Sequence, residues 1–334
     1  IKVSGLETTS PGDVVALIGD FEPNSILTLI KLLEKGCIVV PLTEETSKQH
    51  KYFFEQSKVQ FVFNKNTLKK TISKKQYQDE LLNNLRYRNN PGLILFTTGT
   101  TGNPKAILHD FIPFIERYKT PRPGYKSLSF LLFDHIGGIN TLFHMLYNKG
   151  CVVSIQERTV ENVIRTCEKY SIELLPTTPT FLRLLSLYPD IENILPKSIR
   201  IISYGTERFD QPTLNRLCKQ FPEIDFKQTY GMSELGIFRV KTYARDSLFM
   251  KIGGEDIETK IVKNVLFIRS KKRMIGYLNA QSPFDEEGWY NTKDCVEVNE
   301  EGYIKITGRD SEIINVGGLK FMPAEIEKIA LKFS

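Results

Sequence analysis

The run Phe96-Thr97-Thr98-Gly99-Thr100-Thr101-Gly102-Asn103-Pro104-Lys105 sets four threonine hydroxyls, two glycines and a lysine directly after the apolar stretch Leu93-Ile94-Leu95. Glycines let the backbone turn with positive φ and bring successive N–H groups onto an anion. Hydroxyls donate further hydrogen bonds and lysine adds a point charge, so the segment reads as a phosphate cradle. It is not a Walker loop. That loop requires G-x-x-x-x-G-K-[ST], whereas Asn103 and Pro104 separate Gly102 from Lys105, and Ala106 stands where a magnesium-binding hydroxyl is needed.

Four further segments carry polar chemistry at the ends of apolar runs. Tyr204-Gly205-Thr206-Glu207 follows one strand-like run, and Gln228-Thr229-Tyr230-Gly231-Met232-Ser233-Glu234 follows the next. Gly288-Trp289-Tyr290-Asn291-Thr292-Lys293-Asp294 precedes a β-run. Thr307-Gly308-Arg309-Asp310-Ser311 leads to Gly317-Gly318 and Pro323-Ala324-Glu325. Glu234, alone at a strand end, is the kind of hard oxygen donor that holds magnesium, with an ordinary solvated acid as the alternative. Tyr230 offers a flat face that suits a base or a protein core equally, and Asp294 could equally be a turn residue before a strand.

These residues need a scaffold, and the hydrophobic pattern supplies one. Asp13 to Ile18 is strand-like, Pro23 to Lys35 has helical spacing (Ile26, Leu29, Ile30, Leu33) with an early proline and a stop at Gly36, and Cys37 to Leu42 is again strand-like. Short apolar runs recur at 59–63, 93–97, 128–133, 152–155, 172–175, 199–203 and 224–229, mostly separated by helix-length segments. Alternation of this kind predicts an α/β fold, a mostly parallel sheet covered by helices with ligands at the carboxyl ends of its strands. After Gly231 the period shortens: 237–243, 257–262, 265–269, 295–298 and 303–306 are alternating or β-branched runs broken by Gly253-Gly254, Lys263-Asn264 and Glu300-Glu301-Gly302. These predict a small antiparallel, β-barrel-like subdomain.

Composition sets the outer bounds. A chain of 334 residues that is 41% hydrophobic and 25% charged can bury a sizeable core without staples. The net charge of +6 arises from scattered lysines without an aromatic-basic stripe, which argues against a nucleic-acid partner. Cys37, Cys151, Cys167, Cys218 and Cys295 are odd in number and form no C-x-x-C pair, so they read as reduced thiols of a cytoplasmic protein. His50, His109, His135 and His144 show no metal spacing. No apolar run approaches the roughly 18 residues of a membrane span.

Taken together and in order, the five segments resemble the adenylate-forming superfamily of acyl- and aryl-CoA synthetases, peptide synthetase adenylation domains and luciferases, over nearly the whole chain. The resemblance implies a two-step reaction. A carboxylic acid attacks the α-phosphate of ATP, giving an acyl-adenylate and pyrophosphate, and a thiol then takes the acyl group and releases AMP. Thr97, Thr98, Gly99, Thr100, Thr101, Gly102 and Lys105 would hold the β- and γ-phosphates and Glu234 the Mg2+, with Ser233 donating to the α-phosphate. Tyr230, Thr229 and Gly231 on one side, with Gly205, Thr206 and Glu207 on the other, would enclose adenine. Asp294 would accept from the ribose hydroxyls, Arg309 would contact ribose and phosphate, and Ile306 would complete the nucleotide pocket.

Leu132-Phe133-Asp134-His135-Ile136-Gly137-Gly138 resembles the family segment whose histidine borders the acyl pocket, with a helix-capping or hydrogen-bonded histidine as the alternative. His135, Tyr204, Gly205, Gly231 and Met232 are thus the expected acyl-pocket positions, and Thr98, Lys105, His135 and Glu234 the expected catalytic ones. Peptide synthetase domains use an aspartate in a Phe-Asp motif for the substrate amine, but the His-Ile-Gly-Gly continuation favours an acid without an α-amino group.

The expected division is 1–230, an α/β nucleotide- and acid-binding core; 231–309, a β-rich subdomain of the same large domain; and 310–334, a hinge at Ser311 and the start of a C-terminal domain. By the resemblance that domain is expected to be largely absent and the family lysine that it carries to have no counterpart before Ser334, so slow adenylation is expected of this chain alone. The expected function is an AMP-forming acid–thiol ligase using ATP, Mg2+ and CoA. A carrier-protein thiol is the alternative acceptor, an amino acid the alternative substrate, and a catalytically degenerate nucleotide-binding protein the alternative of another class.

Overall fold

Val14–Ile18 and Ile38–Leu42 are apolar at almost every position because strands of a parallel sheet covered on both faces have no solvent side, and every residue in both is buried. The helix between them, Pro23–Glu34, starts on a proline at its first turn and buries Leu29, Leu32 and Leu33 at helical spacing. Gly36 then turns the chain with φ of +82°.

The computed structural model describes residues 6–64, 67–70, 79–97, 103–254, 256–310, 314–316 and 319–321. The chain divides into two units. The first comprises Ile1–Gln156, Met232–Gly236 and Lys272–Ser282; the second comprises Glu157–Gly231, Ile237–Lys271 and Pro283–Ser334.

The first unit is built on a seven-stranded sheet in the order Gly276–Tyr277, Ala106–Asp110, Gly92–Phe96, Ile38–Leu42, Val14–Ile18, Phe61–Asn64, Thr67–Lys70. Its central pairings are parallel, and its outer ones are antiparallel. Val14, Ala16, Ile38, Val40, Leu82, Leu85, Ile94 and Leu108 belong to one buried cluster of its core. Lys126–Leu128 and Cys151–Val153 form a separate parallel pair joined through the helix Ile136–Tyr147.

In the second unit, Leu174–Thr177, Ile201–Tyr204 and Asp225–Gln228 run parallel. Amphipathic helices, Pro179–Ser186 and Gln211–Gln220, link them. Six antiparallel strands form a further sheet of this unit, in the order Arg239–Thr242, Met250–Gly253, Ile304–Arg309, Tyr290–Val298, Val265–Ser270, Ile257–Val262. The expected α/β class with an antiparallel β subdomain is therefore what the chain adopts.

One element departs from the sequence reading, and another was not read from it. Residues 128–133 were expected to be a strand, but the strand is only Lys126–Leu128. Phe130 and Phe133 are buried from a loop instead, Phe133 edge-on to Phe21. Ala106–Asp110, directly after the threonine-glycine run, is a strand that returns antiparallel to Gly92–Phe96, so the run joins two strands of one sheet.

Candidate active site

The base of the threonine-glycine run is closed by two reciprocal bonds: Thr97 N–H donates to the Lys105 carbonyl at 3.1 Å, and Lys105 N–H to Thr97 Oγ1 at 3.2 Å. Pro104 is pinned as well, its carbonyl accepting from Tyr52 O–H and Asn279 Nδ2, each at 3.0 Å. Asn279 Oδ1 also accepts from Ala106 N–H at 2.8 Å. Thr98, Gly99, Thr100, Thr101 and Gly102 lie outside the described residues, so the structure fixes the two ends of the loop.

In the same unit, Glu234 is 7% exposed. Tyr277 O–H donates to its Oε1 at 2.6 Å, and its backbone carbonyl accepts from Met274 N–H at 2.8 Å. Lys105 Nζ lies over the Tyr277 ring, 4.9 Å from the centroid. One tyrosine thus touches both the loop lysine and the buried acid. A lone carboxylate of this kind fits a hard divalent ion that takes its remaining ligands from water and substrate phosphates. Among the described residues no cluster of three or more acidic, histidine or cysteine side chains could hold a metal without such help.

Ser233, next to Glu234, is tied down through its carbonyl, which lies 2.7 Å from His109 Nε2. A carbonyl can only accept, so Nε2 carries the proton. Burial is the main cause that lowers the His109 pKa to about 4, opposed by this hydrogen bond and assisted by the Arg117 charge. The ring is therefore a neutral strut at physiological pH.

His135 occupies the N-cap position of Ile136–Tyr147, but its side chain makes no cap bond. Its Nδ1 donates instead to Asp134 Oδ1 at 2.7 Å. Asp134 is buried and its Oδ2 accepts from Thr43 O–H at 3.1 Å. This pairing engages Nδ1 of a ring whose side chain is 40% exposed. Gly138 makes the arrangement feasible, since a Cβ there would lie 2.0 Å from the Leu132 carbonyl oxygen. Thr97, Phe96, Asp134 and His135 line one small cleft of about 30 Å³.

The second unit gathers another group. Asp294 and Arg309 are register partners on neighbouring strands. Asp294 Oδ1 lies 3.3 Å from Arg309 Nε, and Oδ2 accepts from Tyr230 O–H at 2.6 Å. Burial first, then the Asp294 charge, raises the Tyr230 pKa well above its usual value, so it stays a donor. Its ring stacks on Phe238 with centroids 6.1 Å apart.

Gly205 abuts Thr229, whose Oγ1 would lie 2.2 Å from a Cβ at that position. Thr206 takes φ of +71°, strained for a β-branched residue. Glu207 Oε2 accepts from Thr180 N–H and O–H at 3.2 and 2.5 Å, at the first turn of Pro179–Ser186. Tyr204 is fully buried, edge-on to Phe209. Ile306 pairs with Val296 in the antiparallel sheet, and Gly231 and Met232 are half-buried. Ser311 lies outside the described residues.

Residues 4–263 match the family described as AMP-binding enzyme. The chain belongs to this family. Among curated AMP-binding relatives, it is 27% identical over 277 residues to the medium/long-chain-fatty-acid–[acyl-carrier-protein] ligase FadD10 of Mycobacterium tuberculosis, covering 72% of this chain and 51% of that protein. It is 28% identical over 274 residues to the 2-succinylbenzoate–CoA ligase of Bacillus pumilus, covering 74% and 54%. The chain thus spans about half the length of the curated relatives it matches.

Among solved structures, the anthranilate CoA ligase AuaEII in complex with anthranoyl-AMP superposes with a TM-score of 0.79 at 16% identity, covering 97% of this chain and 72% of that one. The o-succinylbenzoate coenzyme A synthetase of Bacillus subtilis, in complex with ATP and magnesium ion, gives 0.73 at 19%, covering 98% and 76%. At these identities the likeness is one of fold.

Within this AMP-binding chain, sequence reasoning missed Tyr277, His109, Tyr52 and Asn279. Tyr277 and Asn279 stand in Gly276-Tyr277-Leu278-Asn279, a short apolar-polar segment without a periodic signal. Only the pairing of Gly276–Tyr277 with Ala106–Asp110 reveals their place.

Proposed function

We propose that this chain is the ATP- and acid-binding part of an AMP-forming acid–thiol ligase. It takes a carboxylic acid and ATP to an acyl-adenylate and pyrophosphate, and CoA is the thiol acceptor. The observation that carries this reading is the buried carboxylate of Glu234, connected through one tyrosine to the lysine of the anion loop. Attack of a carboxylate on a triphosphate brings two anions together, so the site has to neutralise charge and hold the partners in line. We assign Thr97, Lys105 and the intervening loop to the β- and γ-phosphates, Ser233 to the α-phosphate, and Glu234 to Mg2+.

In the second unit we assign Tyr230, Thr229, Gly231, Gly205, Thr206 and Glu207 to the base, and Asp294, Ile306 and Arg309 to the ribose side. We assign His135, with its ring set by Asp134, to the border of the acid pocket, along with Tyr204, Gly205, Gly231 and Met232. The continuation His135-Ile136-Gly137-Gly138 after Asp134 favours an acid without an α-amino group. An odd number of cysteines without a C-x-x-C pair supports a cytoplasmic setting.

The names of relatives such as FadD10 favour a second reading, in which the acceptor is a carrier-protein thiol. A pyrophosphate-release screen over aryl, fatty and amino acids, followed by transfer to CoA or to a phosphopantetheinylated carrier, tests both. Acid-dependent release with transfer to CoA is expected. Transfer only to the carrier replaces the acceptor, and no ATP binding with Mg2+ removes the ligase reading in favour of a degenerate protein.

A further inference from the structure

We propose that Tyr277 is a positioning residue that presents the Glu234 carboxylate to the metal and holds it at a fixed place relative to Lys105. The inference rests on the assignment of Glu234 to Mg2+ and of the 97–105 loop to phosphate. Tyr277 lies in neither motif.

Its backbone has little freedom. Tyr277 is the register partner of Ile107, and the ladder continues on either side through Ile275 N–H to the Leu108 carbonyl at 2.8 Å and Leu278 N–H to the Ala106 carbonyl at 2.9 Å. Two residues on, Asn279 clamps the loop base at Ala106 and Pro104. The segment that carries the phenol is therefore the one that fixes the end of the loop carrying Lys105.

Its side chain then does two things. The hydroxyl, on a residue 6% exposed, gives Glu234 Oε1 a short charge-assisted hydrogen bond. Among the described residues Glu234 Oε2 has no hydrogen-bond partner, so one oxygen is anchored and the other is left for a ligand. The ring takes the Lys105 ammonium on its face, and Lys105 and Glu234 form no ion pair with each other. Anchoring a three-rotor side chain before the metal arrives removes ordering that binding would otherwise have to provide. Keeping the cation on the ring and the acid on the hydroxyl leaves both charges available to a metal-bound triphosphate.

Tyr277→Phe keeps the ring and removes only the donor. The test is calorimetric titration of this chain with ATP, in Mg2+ and in EDTA, for the wild type, Tyr277→Phe, Glu234→Gln and the double variant. The expected result is that Tyr277→Phe loses about tenfold of the Mg2+-dependent tightening, with its affinity in EDTA unchanged within about twofold. In the Glu234→Gln background the same substitution is expected to change nothing.

A Tyr277→Phe protein with the wild-type Mg2+ effect overturns the proposal, as does one that loses affinity equally in EDTA or retains its full effect in the Glu234→Gln background. The infrared carboxylate band of Glu234, read as wild type minus Glu234→Gln, gives an answer independent of any variant at 277. A hydrogen-bonded band position is expected, and that of a carboxylate without a donor overturns the proposal. A wild-type chain that binds no ATP in either condition fails at the function itself, whereas Mg2+-dependent wild-type binding with a silent Tyr277→Phe fails at this inference alone.

Discussion

A carboxylate only 7% exposed has to be met by donors, and those that meet Asp294 include the Tyr230 phenol and the Arg309 guanidinium of its own unit. The same two oxygens are the ones assigned to the ribose, so the pair Tyr230–Asp294 acts as a preset acceptor. Asp294→Asn keeps the size of the side chain and one carbonyl acceptor but loses the charge and one acceptor oxygen. AMP affinity, measured by calorimetry, is expected to fall by about 1.5–3 kcal/mol, the range for hydrogen bonds to a charged group. An unchanged affinity would take Asp294 out of the nucleotide site. His109 makes a residue-scale prediction of another kind. Its folded pKa is about 4 against an ordinary 6.5, so between these values the unfolded chain holds a proton that the folded chain does not. The stability contribution is complete above about pH 6.5 and is lost as pH falls through about 4, on the order of 3 kcal/mol in all. In denaturant titrations across this window, His109→Gln, whose amide can still donate to the Ser233 carbonyl, is expected to flatten the pH dependence. An identical slope in wild type and variant would show that His109 does not carry it.

At the scale of elements, the segment from Leu132 to the helix Ile136–Tyr147 depends on close backbone approach. A methyl at Gly138 would meet the Leu132 carbonyl oxygen at 2.0 Å, a backbone atom that cannot swing away. Gly138→Ala is therefore expected to destabilise the protein by about 1–3 kcal/mol. It should also disturb His135, seen as a lower melting temperature together with a raised Kd for the acid. A full-strength variant would mean that this turn has slack. The strands of the parallel sheets were legible because burial on both faces leaves near-continuous apolar runs, as at Val14–Ile18 and Ile201–Tyr204. Residues 128–133 misled for the same reason: Phe130 and Phe133 are buried, but from a loop, and apolar content alone does not distinguish the two. Ala106–Asp110 was not legible because no local signal in the sequence shows that the chain returns antiparallel along the same sheet.

On the scale of the whole chain, the motifs marked neighbourhoods and left out what holds them. Lys105 and Glu234 are far apart in sequence, and spacing alone relates neither to Tyr277, whose role depends on an antiparallel pairing with Ala106–Asp110. The Tyr230, Asp294 and Arg309 group was legible residue by residue, but its internal hydrogen bonds, which decide how the carboxylate meets a ligand, were not. The relatives that share the AMP-binding family extend well beyond this chain, so the binding steps, rather than turnover, are where its own residues are tested. A crystal structure of the chain with Mn2+ and a non-hydrolysable ATP analogue, located by anomalous scattering, tests the central claim most directly. The account predicts a metal peak about 2.1–2.2 Å from Glu234 Oε2, close to the separation at which hard divalent ions take oxygen ligands, with the triphosphate contacting Lys105 Nζ. A metal and triphosphate bound away from Glu234 and Lys105 would contradict it.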